Sequence, residues 1–264
     1  GSLWGMGRNQ FGELGDTNTS NQHSPIEIAD ADVVAVSAGN EFVLFIKGDG
    51  SLWGTGRNHQ AQLGDSTRQD RNQTFRIVES GVQQIAAGGS HSLFLKQDGS
   101  LWGMGENGGG QLGLGDSNDR LSSVEIIPGG VVDVQAKGPN SYLLKTDGTL
   151  WGMGDNGSGN LGDGKTTDRL SPVQSNLSEV VDIGFNNWAT YALKSDGSLW
   201  KTNKNAVNGW ELVVDANVTS IDGGGQRSNI VYTKTDGSLW CLGSNENGEF
   251  GNGTYINSNE PIQV

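Results

Sequence analysis

Three histidines, His23, His59 and His91, one cysteine, Cys241, and thirty acidic side chains are what this chain of 264 residues has for catalysis or metal ligation. A hydrolase needs a nucleophile, a base and an orienting carboxylate together, and a zinc centre needs clustered Cys and His. The histidines instead fall on different loops, with no Ser–His–Asp order and no paired carboxylates. Cys241 stands beside Trp240 where sister segments have glycine, which marks it as buried and inert. Loops such as GDTNTSN (15–21), GDGKTTD (162–168) and GNGTYINSNE (251–260) offer oxygens, but not in the D-x-D-x-D-G order of a calcium loop. Asx turns account for them without a metal. A recurring G-x-G-x-N-x-x-G would cradle a pyrophosphate only ahead of a helix, and no helical period follows. The expectation is a non-enzymatic chain with no catalytic residue, metal or cofactor.

What remains is recognition. The residues that carry it are expected to be Glu41, His59, His91, Asn140, Asn187, Trp188, Gln226 and Arg227, which lie where otherwise similar segments differ. An exposed Trp beside an Arg-bearing loop is the composition of interface hot spots; the alternative for Trp188 is a cap on a central channel. For His91 a structural hydrogen bond competes with a partner contact.

These residues sit on a repeat. The pattern G-[ST]-L-W begins at Gly1, Gly50, Gly99, Gly148, Gly197 and Gly237, with four intervals of 49 residues and one of 40. Each period holds four short segments: V-V-x-V or its equivalent (strand A), an apolar run ending in Lys (B), S-L-W (C) and a P-x-x-V-like closure (D). Asp-Gly joins B to C, the strongest short hairpin signal, with positive φ expected at both residues. Four strands per period and no helical pattern predict an all-β, β-propeller fold built from four-stranded antiparallel blades. The frame gives five complete blades plus an N-terminal half-blade within one domain, 1–264, divided at 49, 98, 147, 196 and 236. The ring is then six-bladed, or part of a larger or open propeller completed by missing strands or another chain. The recurring tryptophans (4, 53, 102, 151, 200, 240) are expected to be core, wedged between blades.

The run V-x-x-[IV]-A-A-G-x-x-H-S-L-x-L-K-x-D-G-S-L-W-G-x-G-x-N-x-x-G-Q-L-G, most complete from Val82 to Gly113, resembles the regulator of chromosome condensation repeat. The resemblance covers essentially the whole chain. It implies a propeller, and it implies little about function, because exchange factors, enzyme inhibitors and light sensors share the repeat.

In such a blade the A–B and C–D loops share one face and the B–C turns the other. The B–C turns are near-identical, whereas the A–B loops run GNE (39–41), GGSH (88–91), KGPN (137–140), GFNNW (184–188) and GGGQRSN (223–229). Function is expected where repeats drift, so the A–B/C–D face is the expected binding face. One copy is odd: between Trp200 and Val218 it is about eleven residues shorter than its neighbours, and it reads either as decay or as a notch that admits a partner.

Composition narrows the partner. The formal charge is −13 and the basic residues are scattered, so nucleic acid is not expected. No stretch approaches the roughly 20 apolar residues of a membrane helix. The 43 glycines are spread through the repeat, as turns require, and form no linker. The reading is a protein-recognition scaffold of bacterial type, extracellular or at the cell surface, without excluding the cytoplasm. Other readings of the same face are an inhibitor of a secreted enzyme, a carbohydrate-binding module taking a glycan, and a guanine-nucleotide exchange factor.

Overall fold

The computed structural model describes residues 1–186, 189–206, 208–223 and 229–264. These residues form strands joined by turns, without a helix. A two-stranded sheet, β1 (Leu3–Gly7) and β2 (Gln22–Ala29), comes first. Five four-stranded antiparallel sheets follow, each with its strands in chain order. They are β3 (Val33–Ala38) to β6 (Arg71–Val78), β7 (Val82–Ala87) to β10 (Arg120–Ile127), and β11 (Val131–Lys137) to β14 (Arg169–Ser178). The fourth and fifth are β15 (Val180–Phe185) to β18 (Trp210–Val214) and β19 (Val218–Gly223) to β22 (Ser258–Gln263). This is the expected propeller of five blades and a half-blade.

Inside a blade the B strands, β4 (Phe42–Lys47), β8 (His91–Lys96), β12 (Asn140–Lys145), β16 (Thr190–Lys194) and β20 (Asn229–Lys234), are the most buried. Neighbouring blades cover both their faces, which is why their sequences are apolar on both. The core is a series of clusters between consecutive blades, such as Leu93, Val131, Leu143 and Met153.

The C strands are β1, β5 (Leu52–Gly56), β9 (Leu101–Gly105), β13 (Thr149–Gly154), β17 (Leu199–Thr202) and β21 (Leu239–Gly243). They refine one expectation. In the L-W pair the leucine is fully buried, as Leu52, Leu101, Leu150 and Leu199 show. The tryptophan is half-buried and wedged between blades: Trp102, Trp151, Trp200 and Trp240 pack against the cluster shared with the preceding blade. Trp102 stacks on Phe94 at 6.2 Å between ring centroids and carries the Lys96 ammonium 4.0 Å from its own centroid. A pleated strand cannot send adjacent side chains to one face, so Leu and Trp divide the two environments.

The B–C turns correct another. Gly50, Gly99, Gly148, Gly197 and Gly237 have positive φ, but their aspartates do not. Lys47 N–H donates to Ser51 C=O, and Gly50 N–H donates to Lys47 C=O. That is the three-residue turn closed by a left-handed glycine, in place of a two-residue turn with two positive φ angles.

The C–D loops are ordered by a buried asparagine. The Asn58 Oδ1 accepts from Leu63 N–H at 2.9 Å, and its Nδ2 donates to Asp65 at 2.8 Å. Asn9, Asn107, Asn156 and Asn245 repeat the first bond to Leu14, Leu112, Leu161 and Phe250. The loop leucine is thereby set over the glycine of its own C strand, as Leu63 is over Gly54.

Both flanks of the blade series expose apolar surface. Val36 is 55% exposed, whereas its counterparts Ile85, Val134, Ile183 and Ile221 are 9% exposed or less. The half-blade has no A or B strand to lie over β3. At the other flank Leu239 is 41% exposed where Leu52, Leu101, Leu150 and Leu199 are covered.

Candidate functional site

The A–B and C–D loops emerge together, and two features stand out among them. The first joins the half-blade to the first full blade. Glu41, in the β3–β4 loop, takes Arg8 at 2.5 Å and Arg57 at 2.6 Å. Both guanidinium groups lie over the ring of Phe11, 5.4 and 5.0 Å from its centroid. His59 meets the same ring edge-on at 5.9 Å and ion-pairs with Asp70 at 3.2 Å when protonated. A phenyl ring between two cations, gathered by one carboxylate, is a rigid aromatic–arginine patch on an acidic molecule. Glu41 holds φ at 68°, a conformation that L-residues other than glycine and asparagine rarely adopt. Strain of this kind collects at functional loops.

The second feature is a cleft of about 780 Å³ between the fourth and fifth blades. It lies where the β17–β18 loop is shortened. Its walls carry Tyr191, Lys201, Lys204, Glu211, Glu246 and Asn259, among others. Glu211 accepts from Asn203 Nδ2 at 2.7 Å and lies 3.8 Å from Lys201 Nζ, so charge is balanced within the wall. A smaller cavity of about 320 Å³ shares Ser158, Asn186 and Ala189 with it and reaches Asn140. Volumes of this size suit a small ligand or a peptide turn.

Known sequences match this repeat over its N-terminal copies. The Regulator of chromosome condensation (RCC1) repeat is found at residues 1–46 and 49–95, and a second profile of the same repeat matches 33–62 and 82–111. In fold the chain is similar to human WBSCR16, with a TM-score of 0.83 and 23% identity over 99% of this chain and 75% of that one. It is equally similar to Prp20p of Saccharomyces cerevisiae, with a TM-score of 0.83 and 19% identity over 100% of this chain and 72% of that one. Yeast RCC1 (Prp20) in its complex with Kap60 gives 0.76 and 17%, over 90% and 63%. Its N-terminal copies are RCC1 repeats, and its fold is that of the RCC1-type propellers. No curated protein matches it in sequence.

In this RCC1-repeat propeller the sequence-named residues divide three ways. Glu41 and His59 come together around Phe11. His91 and Asn140 are corrections, because both are buried B-strand residues, Asn140 reaching only the smaller cavity. The His91 Nε2 lies 2.8 Å from Ser141 Oγ, while its Nδ1 has no partner among the described residues. Burial holds the imidazole pKa down at about 4. Gly88 lies against that ring, so a Cβ there would meet it. The Asn140 Nδ2 lies 3.4 Å from Tyr142 Oη, and its Oδ1, beside the smaller cavity, has no partner among the described residues. Asn187, Trp188, Gln226 and Arg227 lie outside the described residues.

Sequence reading missed Arg8, Phe11 and Arg57. Phe11 was the available signal, since the equivalent loop places in sister copies hold polar or small residues. Trp210, in the shortened copy, is buried, and its Nε1 donates to Gly162 C=O at 3.0 Å and Ser175 Oγ at 2.9 Å. It seals the junction between the third and fourth blades. Cys241 is buried, and burial pushes its thiol pKa up.

Proposed function

We propose that this propeller is a non-enzymatic protein-recognition scaffold that binds its partner through the A–B/C–D face. The observation that carries the reading is the Glu41–Arg8–Arg57–Phe11–His59 patch: every B–C turn is alike, whereas this face gathers exposed Arg and aromatic groups from two blades in a fixed arrangement. Blades hold these loops before binding, so association orders little. Prp20p, described with binding properties to Gsp1p and histones, and Prp20 bound to Kap60 are propellers of this fold with protein partners, which supports the same class of ligand here. We include Glu41 and His59 in the contact surface, with Asn187, Trp188, Gln226 and Arg227 as further contacts on the A–B loops.

The test is capture from host extracts by the wild type beside two folded double variants, Arg8→Ala/Arg57→Ala and Trp188→Ala/Arg227→Ala. A partner retained by wild type and lost by the first variant is expected. Equal capture by all three would remove the function from this face.

A further inference from the structure

The cleft between the fourth and fifth blades is the imprint of a loop that other copies possess. Pairing with the end of strand C identifies equivalent places on strand D: Gly56 faces Arg71, Gly105 faces Arg120, Gly154 faces Arg169, and Gly243 faces Ser258. The next residues, Asn72, Leu121, Leu170 and Asn259, are therefore equivalent. At three junctions the carbonyl of this residue accepts a backbone hydrogen bond from the C–D loop of the preceding blade. Thr17 N–H donates to Asn72 C=O at 2.7 Å, Ser66 N–H to Leu121 C=O at 2.8 Å, and Gly115 N–H to Leu170 C=O at 2.7 Å. The three donors share a left-handed backbone, with φ of 73°, 64° and 82°. The loop glycine just before them packs on strand C of the following blade, as Gly64 does on Met104 and Gly113 on Met153.

At the junction of the fourth and fifth blades no described residue supplies this cover. Among the described residues no loop of the fourth blade donates a backbone N–H to Asn259 C=O, and Asn259 lines the cleft with Leu242, the counterpart of Met104 and Met153. The fourth blade also has Lys201 where the half-blade and the first three blades have the strand glycine that receives the loop leucine. Lys201 and Asn259 line the cleft together.

We infer that this cleft receives a net-neutral turn of the protein partner, of the form Gly-x-(Ser/Thr/Gly), whose last residue donates its backbone N–H to Asn259 C=O while the glycine rests on Leu242. The inference rests on the protein-recognition reading above. Lysines and glutamates are balanced in the wall, which selects against a strongly charged ligand. Main-chain pairing of one strand residue to an incoming segment is an established way for sheets to take peptides. The partner's turn does what the sister loops do at the other junctions.

The probe is the chain's own loop, a blocked peptide of residues 57–67, RNHQAQLGDST, titrated into the full chain and followed by amide NMR shifts. Saturable binding is expected, with the largest shifts at Leu242, Asn259 and Glu260. A Ser66→Pro peptide, which lacks the donor N–H, is expected to bind at least tenfold more weakly. Ser244→Trp and Lys204→Trp, which fill the cleft from separate walls, should each weaken the peptide by a similar factor without lowering the thermal midpoint. Either variant folding normally and binding undiminished would overturn the inference, as would equal binding of the Pro peptide. A neutral oligosaccharide that shifts these resonances while the peptide does not would overturn it in favour of a glycan. If the peptide fails while partner capture still depends on Arg8 and Arg57, only the cleft assignment falls; if capture fails on that patch, the recognition reading falls with it.

Discussion

Trp102 Nε1–H donates to Ser100 Oγ at 2.9 Å, and the Ser100 hydroxyl donates to Asp98 Oδ1 at 2.6 Å, so the half-buried ring between the blades is tied to the hairpin turn that precedes it. The same relay runs through Thr149 and through Ser198 and Ser238 to Trp151, Trp200 and Trp240. This is why D-G-[ST]-L-W recurs as a unit: the turn, the hydroxyl and the indole satisfy one another. Ser100→Ala should lower stability by about 1–2 kcal/mol, since one indole donor and one turn acceptor lose a buried hydroxyl partner. Ser100→Thr should cost little, because Thr149 already occupies that place. Urea unfolding of the two variants checks the contrast, and equal losses would refute the relay.

The turn aspartates make the fold sensitive to acid. Hydrogen bonds from Ser or Thr, side chain first and then backbone, hold Asp49, Asp98, Asp147, Asp196 and Asp236 below the usual carboxylate range. Arg120, bonded to Asp116, holds that carboxylate down at about 2. A carboxylate whose folded pKa lies below its unfolded value stabilises the fold above the unfolded pKa of about 4 and loses that contribution as pH falls through the folded one. Stability should therefore decline below pH 4, and Asp98→Asn should flatten the decline. A series of melts from pH 5 to pH 2 reads both effects.

His91 adds a second and separate window. Its pKa is depressed from 6.5 to about 4 because burial disfavours the charged ring. The unfolded chain binds a proton between these values and the folded chain does not, so stability is full above pH 6.5 and falls as pH drops towards 4. The span corresponds to about 3 kcal/mol at most. His91→Gln should remove the pH dependence in this range while leaving that below pH 4. Persistence of the slope between 6.5 and 4 in the variant would assign it to other groups.

The blade architecture was legible because one periodicity was written repeatedly: a 49-residue step and four short apolar segments in each step. The division of labour in L-W was not legible, since both residues are large and apolar and only the pleat decides which of the two inter-blade clusters each one meets. The Asp-Gly turn misled for a related reason. Asp-Gly fits two hairpin types, and the choice follows from whether the preceding residue joins the loop, as Gly48 does. At the candidate site, drift from the repeat found Glu41 and His59 but also His91 and Asn140, because side chains within the core vary between copies as well. The cleft was visible as a missing length near Trp200. Its chemistry was not visible, because it consists of a strand carbonyl at Asn259 that has no signature in residue type.

Glu41 gives the sharpest contrast between stability and function. Its φ of 68° is unfavourable for a residue with a Cβ, at a cost of roughly 1–2 kcal/mol that glycine would not bear. Its ion pairs with Arg8 and Arg57 are partly exposed and worth about 0–1 kcal/mol. Glu41→Gly should therefore leave the thermal midpoint unchanged or raise it slightly. The same change frees both guanidinium groups from their common anchor and loosens the arrangement around Phe11, so partner capture should fall several-fold. Glu41→Ala should lose capture to the same extent and also lower the midpoint, because it keeps the strained backbone without the carboxylate. A glycine variant with full capture would show that the carboxylate does not organise the patch, and a destabilised glycine variant would show that the ion pairs outweigh the strain.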